Sequence, residues 1–521
     1  MSSYPISSEP EPAAADADKI AAATPGATKV IPLFVDLDGT LIATDMGQET
    51  AFQAIKQHPA VLLQFPLLAA RGLAVLKRHL ASRVRFDAAE LPYHARVVTA
   101  LQEAKAAGRP IILATASDRL LAEQIAAHLG LFDAVLASDG LHNLKGSAKL
   151  AAIQEFCAKQ GWEQFEYWGD ARVDLPIWRA ENSAAIGAVN PGRTVRAELQ
   201  KERRPVQIWH TLPPRWRALL KLIRPTQWVK NLLLFVPLVL GHQLSSGEKI
   251  WQACVAFMAF SLCASAVYVL NDLFDAPADR RNPHKCRRPF AAGTLPLAWG
   301  PFLSLGLAAA GFAIALLGLP WAGGNAPSFA LLMGAYGLIN LAYSLWLKRH
   351  MVIDVLLLAG MYCLRIVLGG VATGITVSEW LMAFAIFFFT SLAFAKRHAE
   401  LARLADENQP ATPGRGYGVH DLSMIESIGP TAGYMSILVL ALYVNSDNMK
   451  KLYNNHWALL MICPVMLYWM TRLWFVAKRR ELNEDPLVYA LSDWVSWLAA
   501  GMVVALAVLA KTGWFWGGMI P

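Results

Sequence analysis

Apolar runs long enough to cross a lipid bilayer recur through the C-terminal part of this 521-residue chain. About nine runs qualify, because a spanning helix needs roughly 20 predominantly apolar residues. They cover residues 229–243, 250–270, 295–318, 327–346, 352–373, 379–395, 431–446, 456–476 and 492–510. Lipid cannot satisfy backbone polar groups, so these runs predict an all-α transmembrane bundle. The first run is short and also fits a partly interfacial segment.

Composition divides the chain into three parts, since it is too long for one ordinary domain. Residues 1–28 are rich in Ala, Pro, Glu and Ser, which predicts a disordered N-terminus. Residues 29–210 have the composition of a soluble domain, and residues 211–521 that of a membrane domain. The N-terminus lacks the basic and apolar regions of a signal peptide, so none is expected.

Positive charge is placed in a way that favours membrane lipids as partners and excludes nucleic acid. The net charge is +8, but much of it lies at the ends of apolar runs. Loops on one side of the predicted bundle carry Arg280, Arg281, Lys285, Arg287, Arg288, Lys348, Arg349, Lys396, Arg397, Arg403, Arg415, Arg472, Lys478, Arg479 and Arg480. The other side carries only Lys249, Lys450, Lys451 and Lys511. Lys and Arg concentrate in cytoplasmic loops, so we expect a multi-pass protein of the bacterial inner membrane with the soluble domain in the cytoplasm.

Three polar clusters in the soluble part each follow a predicted element. Apolar strands at residues 30–35 and 110–114 run into the first two clusters, and the third follows an element ending at Gly169. In chain order the clusters contain Asp36 with Asp38, then Thr115, then Asp170 with Asp174. Strands alternating with helices predict a parallel α/β sheet, with its active site at the carboxyl ends of the strands.

The clusters resemble the motifs of the haloacid dehalogenase superfamily of phosphatases over roughly residues 30–210. The resemblance implies a Rossmann-like domain in which Asp36 is the nucleophile and forms an aspartyl-phosphate. Asp38 is then the general acid and later the base, and Thr115 binds the phosphoryl oxygens. A carboxylate can attack phosphorus only when metal and cations neutralise the charge repulsion, which agrees with these residue types.

The same resemblance implies a Mg²⁺ ion and a lysine. The metal would lie on Asp36, the backbone carbonyl of Asp38 and Asp170, with support from Asp174. Lys145 and Lys149 both fit the required lysine, and Lys149 is preferred. A degenerate regulatory domain is the alternative interpretation, although every motif is filled.

Residues 45–107 occupy the position of a small helical cap in that superfamily. Residues 60–76 are unusually apolar and are followed by a basic stretch that includes Lys77 and Arg78. This pattern predicts cap core with a solvated edge. The alternative is a face that rests on the membrane and admits a lipid head group.

The stretch from Asn271 to Asp279 carries the chemistry of the membrane part. Asp272, Asp275 and Asp279 recur at intervals of three and four, so on a helix they line one face. They follow the span 250–270 and precede a cluster of cations. Carboxylates can hold Mg²⁺ that binds a diphosphate, while cations bind the remaining phosphate oxygens. A solvated helix end is the alternative.

The membrane part resembles the UbiA superfamily of intramembrane prenyltransferases over about residues 215–515, and in detail its decaprenyl-phosphate phosphoribosyltransferase branch. The motif NDxxDxxxD is the first aspartate-rich motif of that family. Members with aromatic acceptors usually carry a second such motif, where this chain has Lys396-Arg397-His398-Ala399-Glu400. That departure suits a donor with an additional phosphate. The resemblance implies Asn271 as a further metal-site residue and, as substrate-binding residues, Lys230, Asn231, Arg280, His284, Lys285, Arg288, Tyr343, Lys348, Arg349, Asp354, Arg365, Lys396, Arg397 and Glu400.

Each basic residue of that set has an alternative role as an interfacial charge that only sets topology. Arg365 differs because it lies inside a span, where a functional or buried-pair role is the default. Asp354 is its nearest charged neighbour in sequence. The two are about 16 Å apart along a helix, so they cannot pair directly.

Two functions are open at this point. The first is a bifunctional enzyme that transfers phosphoribose from phosphoribosyl pyrophosphate to a polyprenyl phosphate and then removes the ribose 5-phosphate. The second is prenyl transfer to an aromatic acceptor, with a phosphatase that acts on an unrelated metabolite. A lipid-binding scaffold with inactive sites is disfavoured by the filled motifs. The oligomeric state is not predicted.

Overall fold

A computed structural model describes residues 31–512 except 59, 85, 284, 407–415, 447–448, 450–452, 454 and 483–484. The segment 1–28, His284, Arg415, Lys450 and Lys451 therefore lie outside the described residues. The chain divides into two compact units. The first comprises residues up to 50 and 62–212, and the second comprises residues 51–61 and those from 213 onward.

A six-stranded parallel sheet forms the first unit, as predicted. Its order is β3-β2-β1-β4-β5-β6. This is the doubly wound arrangement, in which strands are added first on one side of β1 and then, from β4 onward, on the other side. The strands are β1 Leu33–Val35, β2 Ile111–Asp118, β3 Ala134–Ser138, β4 Phe165–Gly169, β5 Ser183–Val189 and β6 Val206–Trp209. Both faces of β1 are buried, with Leu33 and Val35 in one core and Phe34 in the other.

Helices cover both faces of the sheet and form the cap region. They are α1 Met46–Gln57, α2 Val61–Ala70, α3 Leu73–Ala81, α4 Ala95–Ala106, α5 Arg119–Leu129, α6 Ser147–Gln160, α7 Leu175–Trp178 and α8 Arg193–Leu199. Helix α4 contributes Val97 and Leu101 to the core under β1 and β2. Helix α2 leaves Leu63 and Leu67 exposed.

The second unit is helical and has eight described helices that are long and apolar enough to cross a membrane. Its elements are α9 Arg215–Ile223, a 3-10 run Pro225–Phe235, α10 Val236–Leu240, α11 Gly247–Arg281, α12 Trp299–Gly318, α13 Asn325–Leu345, α14 Ile353–Thr373, α15 Glu379–Asp406, α16 Leu422–Val444, α17 His456–Leu460, α18 Ile462–Lys478, α19 Pro486–Ser492 and α20 Trp494–Thr512. The spans are α11 to α16, α17 with α18, and α20.

The first of the nine predicted spans, residues 229–243, is not one long helix. It consists of the 3-10 run Pro225–Phe235 followed by the short helix α10. Pro225 and Pro237 stand at the beginning of these two pieces, where proline is tolerated because the N–H group has no helical partner.

Gly369 allows helix α14 to approach the 3-10 run closely. A Cβ atom at Gly369 would lie 2.0 Å from the backbone oxygen of Leu234. Arg365 lies one turn before Gly369 on the same helix, and Lys230 and Asn231 lie one turn before Leu234 in the 3-10 run. The close approach therefore helps to place three of the predicted substrate-binding residues side by side.

Replacing Gly369 tests this packing. We expect Gly369→Ala to lower the melting temperature of the full-length protein in detergent, because the added methyl group must displace backbone. Gly360→Ala is the matched control on the same helix, since a Cβ there meets nothing within 4 Å. Equal melting temperatures for the two variants would contradict the packing argument.

Candidate active sites

Three carboxylates meet at the carboxyl edge of the parallel sheet. Asp36 follows β1, and Asp170 follows the neighbouring strand β4. Asp174 ends a short 3-10 turn, Arg172–Asp174, where its side chain accepts hydrogen bonds from the backbone N–H groups of Asp170 and Ala171. One oxygen of each carboxylate lies within 4.8 Å of the other two. The structure therefore brings together the three residues that the motifs pointed to.

Lys149 lies against this carboxylate group, and Lys145 does not. The Lys149 Nζ atom is 2.9 Å from Asp36 Oδ1 and 3.8 Å from Asp174 Oδ1. It also donates to the Tyr167 hydroxyl, which in turn donates to Asp174. Lys149 is buried on α6, whereas Lys145 is exposed on the loop before that helix.

The electrostatics of the group favour a bound cation. Burial, together with Asp36 and Asp174, raises the pKa of Asp170 well above its ordinary value. Burial also raises the pKa of Asp36 to about 6, although Lys149 acts in the opposite direction. Clustered carboxylate oxygens are the ligands that Mg²⁺ prefers, and a divalent cation relieves their mutual repulsion. The residues therefore fit a Mg²⁺ ion held by Asp36, Asp170 and Asp174.

Asp38 lies beside this group with both carboxylate oxygens engaged. Oδ1 accepts from the Met46 N–H group at 2.8 Å, and Oδ2 accepts from the Ser117 hydroxyl at 2.7 Å. Burial, with smaller contributions from Asp45 and Asp36, raises the pKa of Asp38 to about 7. Thr115 is fully buried, and its hydroxyl accepts from the Ser117 N–H group.

Sequence reasoning missed two residues at this site. Ser117 anchors Asp38, and only its place two residues after Thr115 could have signalled it. Lys77 was assigned to a solvated edge of the cap, but the interpretation is wrong for this residue. Its Nζ atom is partly buried and donates to the Ala116 carbonyl at 2.7 Å, at the end of β2. Burial lowers the pKa of Lys77, while Asp38 and Asp45 act to raise it.

Gly39 lets the loop after β1 pass close to Asp170. Its φ angle is +75°, in the left-handed region that favours glycine. A Cβ atom there would lie 2.2 Å from Asp170 Oδ2. Gly39 is therefore required because a side chain at this position would collide with the carboxylate of Asp170, which follows β4.

Removing Asp170 tests the cation site. We expect Mg²⁺ to raise the melting temperature of the wild-type protein, because a ligand that binds only the folded state stabilises it. Asp170→Asn should reduce the Mg²⁺-dependent increase of the soluble domain's transition. Asp139→Asn, at an exposed carboxylate of the same domain, is the control. An unchanged Mg²⁺ response in Asp170→Asn would contradict the assignment.

The carboxylates of the second unit line the last three turns of α11. Asp272 and Asp279 are buried, and Asp275 is partly exposed. Asp272 pairs with Arg224, and Arg288 lies 3.1 Å from Asp272 Oδ1 and 2.7 Å from Asp279 Oδ2. Arg288 thus spans two carboxylates of one helix face, which agrees with the predicted spacing.

Further contacts complete this carboxylate row. Lys348 Nζ lies 3.3 Å from Asp275, and the Ser344 hydroxyl donates to Asn271 Oδ1. Asp272 Oδ2 is buried and has no hydrogen-bond partner among the described residues. Such an oxygen is costly unless a donor or a metal reaches it. The donor set of Asn271 and three aspartates therefore fits Mg²⁺ as well.

Arg224 adopts a backbone conformation that is rare for this residue type. It ends α9 with φ 53° and ψ 59°, in the left-handed region. Its guanidinium group pairs with Asp272 and lies over the Tyr268 ring. The strained backbone and the ion pair together place a cation on the carboxylate row.

Four predicted substrate-binding residues form a buried network with one another. Arg397 Nε lies 2.6 Å from Asp354 Oδ2, and Arg397 also pairs with Glu400. The Tyr343 hydroxyl donates to Asp354 Oδ1 at 2.6 Å. Asp354 is therefore the partner of Arg397. It does not pair with Arg365, which agrees with the distance between Asp354 and Arg365 along α14.

Arg365 lies in an aromatic cage with neutral hydrogen-bond acceptors. Its donors reach Asn231 Oδ1 at 3.1 Å, the Met361 carbonyl at 2.6 Å and the Tyr336 hydroxyl at 3.1 Å. The guanidinium carbon is 5.2–5.4 Å from the ring centroids of Phe260, Tyr336 and Tyr362. No carboxylate pairs with Arg365 among the residues that the structure describes.

Lys230 and Lys396 converge on a residue that sequence reasoning missed. Asp485 Oδ2 is 2.7 Å from Lys230 Nζ and 3.0 Å from Lys396 Nζ. Burial alone would raise the pKa of Asp485, but Lys396 and Lys230 hold it below its ordinary value. Asp485 is 255 residues from Lys230 and 89 from Lys396, so sequence spacing did not signal the contact.

The remaining predicted residues lie at the periphery. The Arg280 side chain donates to the Ala291 carbonyl and so anchors the loop after α11. Lys285 and Arg349 are exposed, which agrees equally with the topology-only interpretation.

The fold and the two sites define a multi-pass membrane protein with a hydrolase-like α/β domain. Residues 234–516 match the UbiA prenyltransferase family, and residues 33–179 match the haloacid dehalogenase-like hydrolases. The first match covers more than half of the chain. The protein therefore belongs to the UbiA prenyltransferase family and carries a haloacid dehalogenase-like hydrolase domain on its N-terminal side.

Two related sequences and one solved structure show the similarities of the chain. An uncharacterized protein, y4nM, of Sinorhizobium fredii is 36% identical over 485 residues, which cover 92% of this chain and 91% of that protein. Decaprenyl-phosphate phosphoribosyltransferase of Corynebacterium glutamicum is 37% identical over 193 residues, 36% of this chain and 57% of that enzyme. A solved UbiA homologue from Archaeoglobus fulgidus, bound to GPP and Mg²⁺, is 17% identical with a TM-score of 0.42, over 56% of this chain and 99% of that one.

Proposed function

We propose that this protein is a bifunctional enzyme that builds and then dephosphorylates a lipid-linked pentose. The helical unit transfers 5-phosphoribose from phosphoribosyl pyrophosphate to a polyprenyl phosphate. The α/β unit then removes the 5-phosphate. Two charged groups in the helical unit carry the proposal. The first is the aspartate row, Asp272, Asp275 and Asp279, which is paired with Arg224, Arg288 and Lys348. The second consists of Lys230 and Lys396, which are paired with Asp485. Such a site suits two phosphorylated substrates.

The similarity to decaprenyl-phosphate phosphoribosyltransferase supports the choice of substrates, although it covers only part of that enzyme. The fused hydrolase domain supports the sequence of steps, because the first product carries the kind of phosphate ester that the second site can cleave. Prenyl transfer to an aromatic acceptor would leave the lysines beside Asp485 without a substrate charge to bind.

Transfer breaks the bond between C1 and the diphosphate oxygen as an oxygen of the lipid phosphate bonds to C1. The nucleophile is already anionic, so it needs no strong general base. Asp272, Asp275 and Asp279 would hold Mg²⁺, which neutralises charge on the departing diphosphate. Lys348, 3.3 Å from Asp275, provides a further positive charge at this row.

Dephosphorylation uses the residues at the end of β1. The Asp36 carboxylate attacks the phosphorus of the 5-phosphate and breaks its bond to the ribose oxygen, while Asp38 donates a proton to that oxygen. Water then attacks the aspartyl-phosphate as Asp38 accepts its proton, and inorganic phosphate leaves. Lys149, 2.9 Å from Asp36, offsets charge on the phosphoryl oxygens.

We place the protein in the bacterial inner membrane with both active sites in the cytoplasm. The support is the excess of Lys and Arg in the loops on the side of the aspartate row. Both substrates of the transfer step are then available on that side.

Replacing Asp275 tests the transfer site. We expect Asp275→Asn to lower diphosphate release from labelled phosphoribosyl pyrophosphate and decaprenyl phosphate by roughly 100-fold or more, because it removes a charge needed in the transition state. Glu248→Gln, at the other end of α11, is the control. Near-normal Mg²⁺-dependent diphosphate release by Asp275→Asn would contradict the metal-site assignment.

Replacing Asp36 separates the two steps. We expect Asp36→Asn to reduce phosphate release by about 10³-fold or more, because it removes the nucleophile. Transfer should continue, so the 5-phosphorylated lipid should accumulate and be detected by mass spectrometry.

The control for this experiment is Asp133→Asn, which removes a partly exposed carboxylate of the same domain. If Asp36→Asn accumulates no phosphorylated lipid while transfer proceeds, the two sites do not act in sequence on one lipid.

A further inference from the structure

A second group of cations contacts Asp485, a carboxylate that does not belong to the aspartate row. Lys230 and Lys396 both contact Asp485 Oδ2, and Lys230 Nζ lies 6.0 Å from the centroid of the Tyr362 ring. The Arg365 guanidinium carbon lies 5.2 Å from the centroid of the same ring. Lys230 of the 3-10 run and Arg365 of α14 therefore lie beside one tyrosine ring. The hydroxyl of that tyrosine is 3.5 Å from Asp485 Oδ2, which Lys396 of α15 also contacts.

The charges of this group do not balance. Asp485 is the carboxylate that pairs with the two lysines, and Arg365 has neutral partners among the described residues. Lys230, Arg365 and Asp485 are all largely buried. Uncompensated charge inside a membrane protein is costly and marks a binding site by default. An excess of about two positive charges suits a phosphate monoester, which carries roughly two negative charges near neutral pH.

Two sources of phosphate monoester exist in the proposed reaction, the ribose 5-phosphate of the donor and the phosphate of the lipid. An aromatic row favours the lipid. The ring of Tyr362 stacks on Phe389 with centroids 4.9 Å apart, Phe389 contacts Phe388 at 5.4 Å, and Phe388 stacks on Phe384 at 5.4 Å. Apart from the Tyr362 hydroxyl, which is directed at Asp485, these rings are apolar and therefore suit a hydrocarbon chain better than a ribose.

The aromatic row ends at an apolar cavity. Phe384 lines a cavity of about 370 Å³ together with Leu240, Ile375, Tyr443, Met466 and Ala507. That volume lies within the range of small-molecule sites. The cavity is at the end of α14 and the beginning of α15, whereas Asp354 lies at the opposite end of α14 and Lys396 lies about three turns beyond Phe384 on α15. The row therefore leads away from the aspartate side and through the bundle.

We propose that Lys230 and Lys396 bind the phosphate of the polyprenyl phosphate, that Asp485 is the resident anion which this phosphate displaces, and that the lipid chain follows Tyr362, Phe389, Phe388 and Phe384 into the cavity. The identity of the lipid rests on the proposed function. The location of its phosphate and the role of Asp485 go beyond it. The aspartate row with Arg224, Arg288 and Lys348 is then left to the ribosyl donor.

Asp485 carries its charge in a position where asparagine can replace it. Its side chain caps α19 by accepting from the Leu487 N–H group, and asparagine is an equally good N-cap. Asp485→Asn therefore removes the competing charge and keeps the cap. Asp493→Asn is the matched control, because Asp493 accepts from the Ser496 N–H group near the start of α20 and pairs with Arg472.

The head-group test is equilibrium binding of labelled decaprenyl phosphate to the full-length protein in nanodiscs, without phosphoribosyl pyrophosphate. We expect Lys230→Gln and Lys396→Gln to weaken binding about tenfold or more, and Asp485→Asn to strengthen it about tenfold. Binding of decaprenol, which lacks the phosphate, and of phosphoribosyl pyrophosphate should change less than twofold. Lys478→Gln, which removes an exposed lysine paired with Glu426, is the control.

The chain test compares lipids of different length. Ala507→Phe partly fills the cavity, so we expect it to weaken binding of decaprenyl phosphate about tenfold and to leave binding of geranyl phosphate within twofold. Val508→Phe, at an exposed position of the same helix, should affect neither ligand. Equal loss for both lipids, or no loss for either, would overturn the assignment of the chain to the cavity.

The outcomes separate this inference from the proposed function. If the lysine variants weaken only phosphoribosyl pyrophosphate binding, the cluster holds the donor's 5-phosphate and the inference fails while the function stands. If Asp485→Asn leaves lipid binding unchanged, the displaced-anion role is wrong. If decaprenyl phosphate binds as expected but accepts no phosphoribose, the proposed function fails while the phosphate site remains.

Discussion

Pairing of buried opposite charges is the interaction on which the helical unit depends. Asp272 is held by Arg224 and Arg288, Asp354 by Arg397, and Asp485 by two lysines. A single charge at such a place costs several kcal/mol, and removing one partner of a buried pair is more damaging than replacing both. The pairs therefore fix the relative positions of the 3-10 run, α11, α14 and α15.

Each unit contains a buried cluster whose charges do not balance, and the excess is negative in the first unit and positive in the second. At the sheet edge, Asp36, Asp170 and Asp174 outnumber Lys149, so the group fits a cation. Beside Tyr362, the cations Lys230, Lys396 and Arg365 outnumber Asp485, so the group fits the anion that we propose for it. In both cases the residual charge, more than any individual residue, indicates the kind of ligand. This is why the balance of a cluster is more informative than its composition.

Local sequence patterns predicted most of the fold, and the structure brings the predicted carboxylates together in each of the two units. The strands before Asp36 and Thr115 and the element ending at Gly169 are confirmed, and so are eight spans, because periodicity and apolar length are properties of short segments. The first span was less predictable, since it consists of a 3-10 run and a short helix that meet near Pro237. The carboxylate face of α11 followed from spacing alone.

Partners that are distant in sequence could not be predicted. Asp485 is 255 residues from Lys230, and no local pattern relates them. Lys77 looked like a solvated cap residue, but the fold brings its amine to the end of β2. Arg397, which the resemblance marks as a substrate-binding residue, contacts Asp354, which is 43 residues away in sequence. Pairing of this kind is decided by tertiary packing, which sequence spacing does not encode.

The charge of the lipid product links the two chemistries under the proposed function. Transfer is reversible in principle, because the diphosphate released at the aspartate row can attack C1 again. A product that keeps its 5-phosphate remains a ligand for the cations of the transfer site and so favours the return reaction. Hydrolysis at Asp36 removes about two negative charges from the ribose, which weakens that binding. Dephosphorylation would therefore withdraw the product from the transfer equilibrium. Because both domains belong to one chain, every transferase domain would be made together with a phosphatase domain.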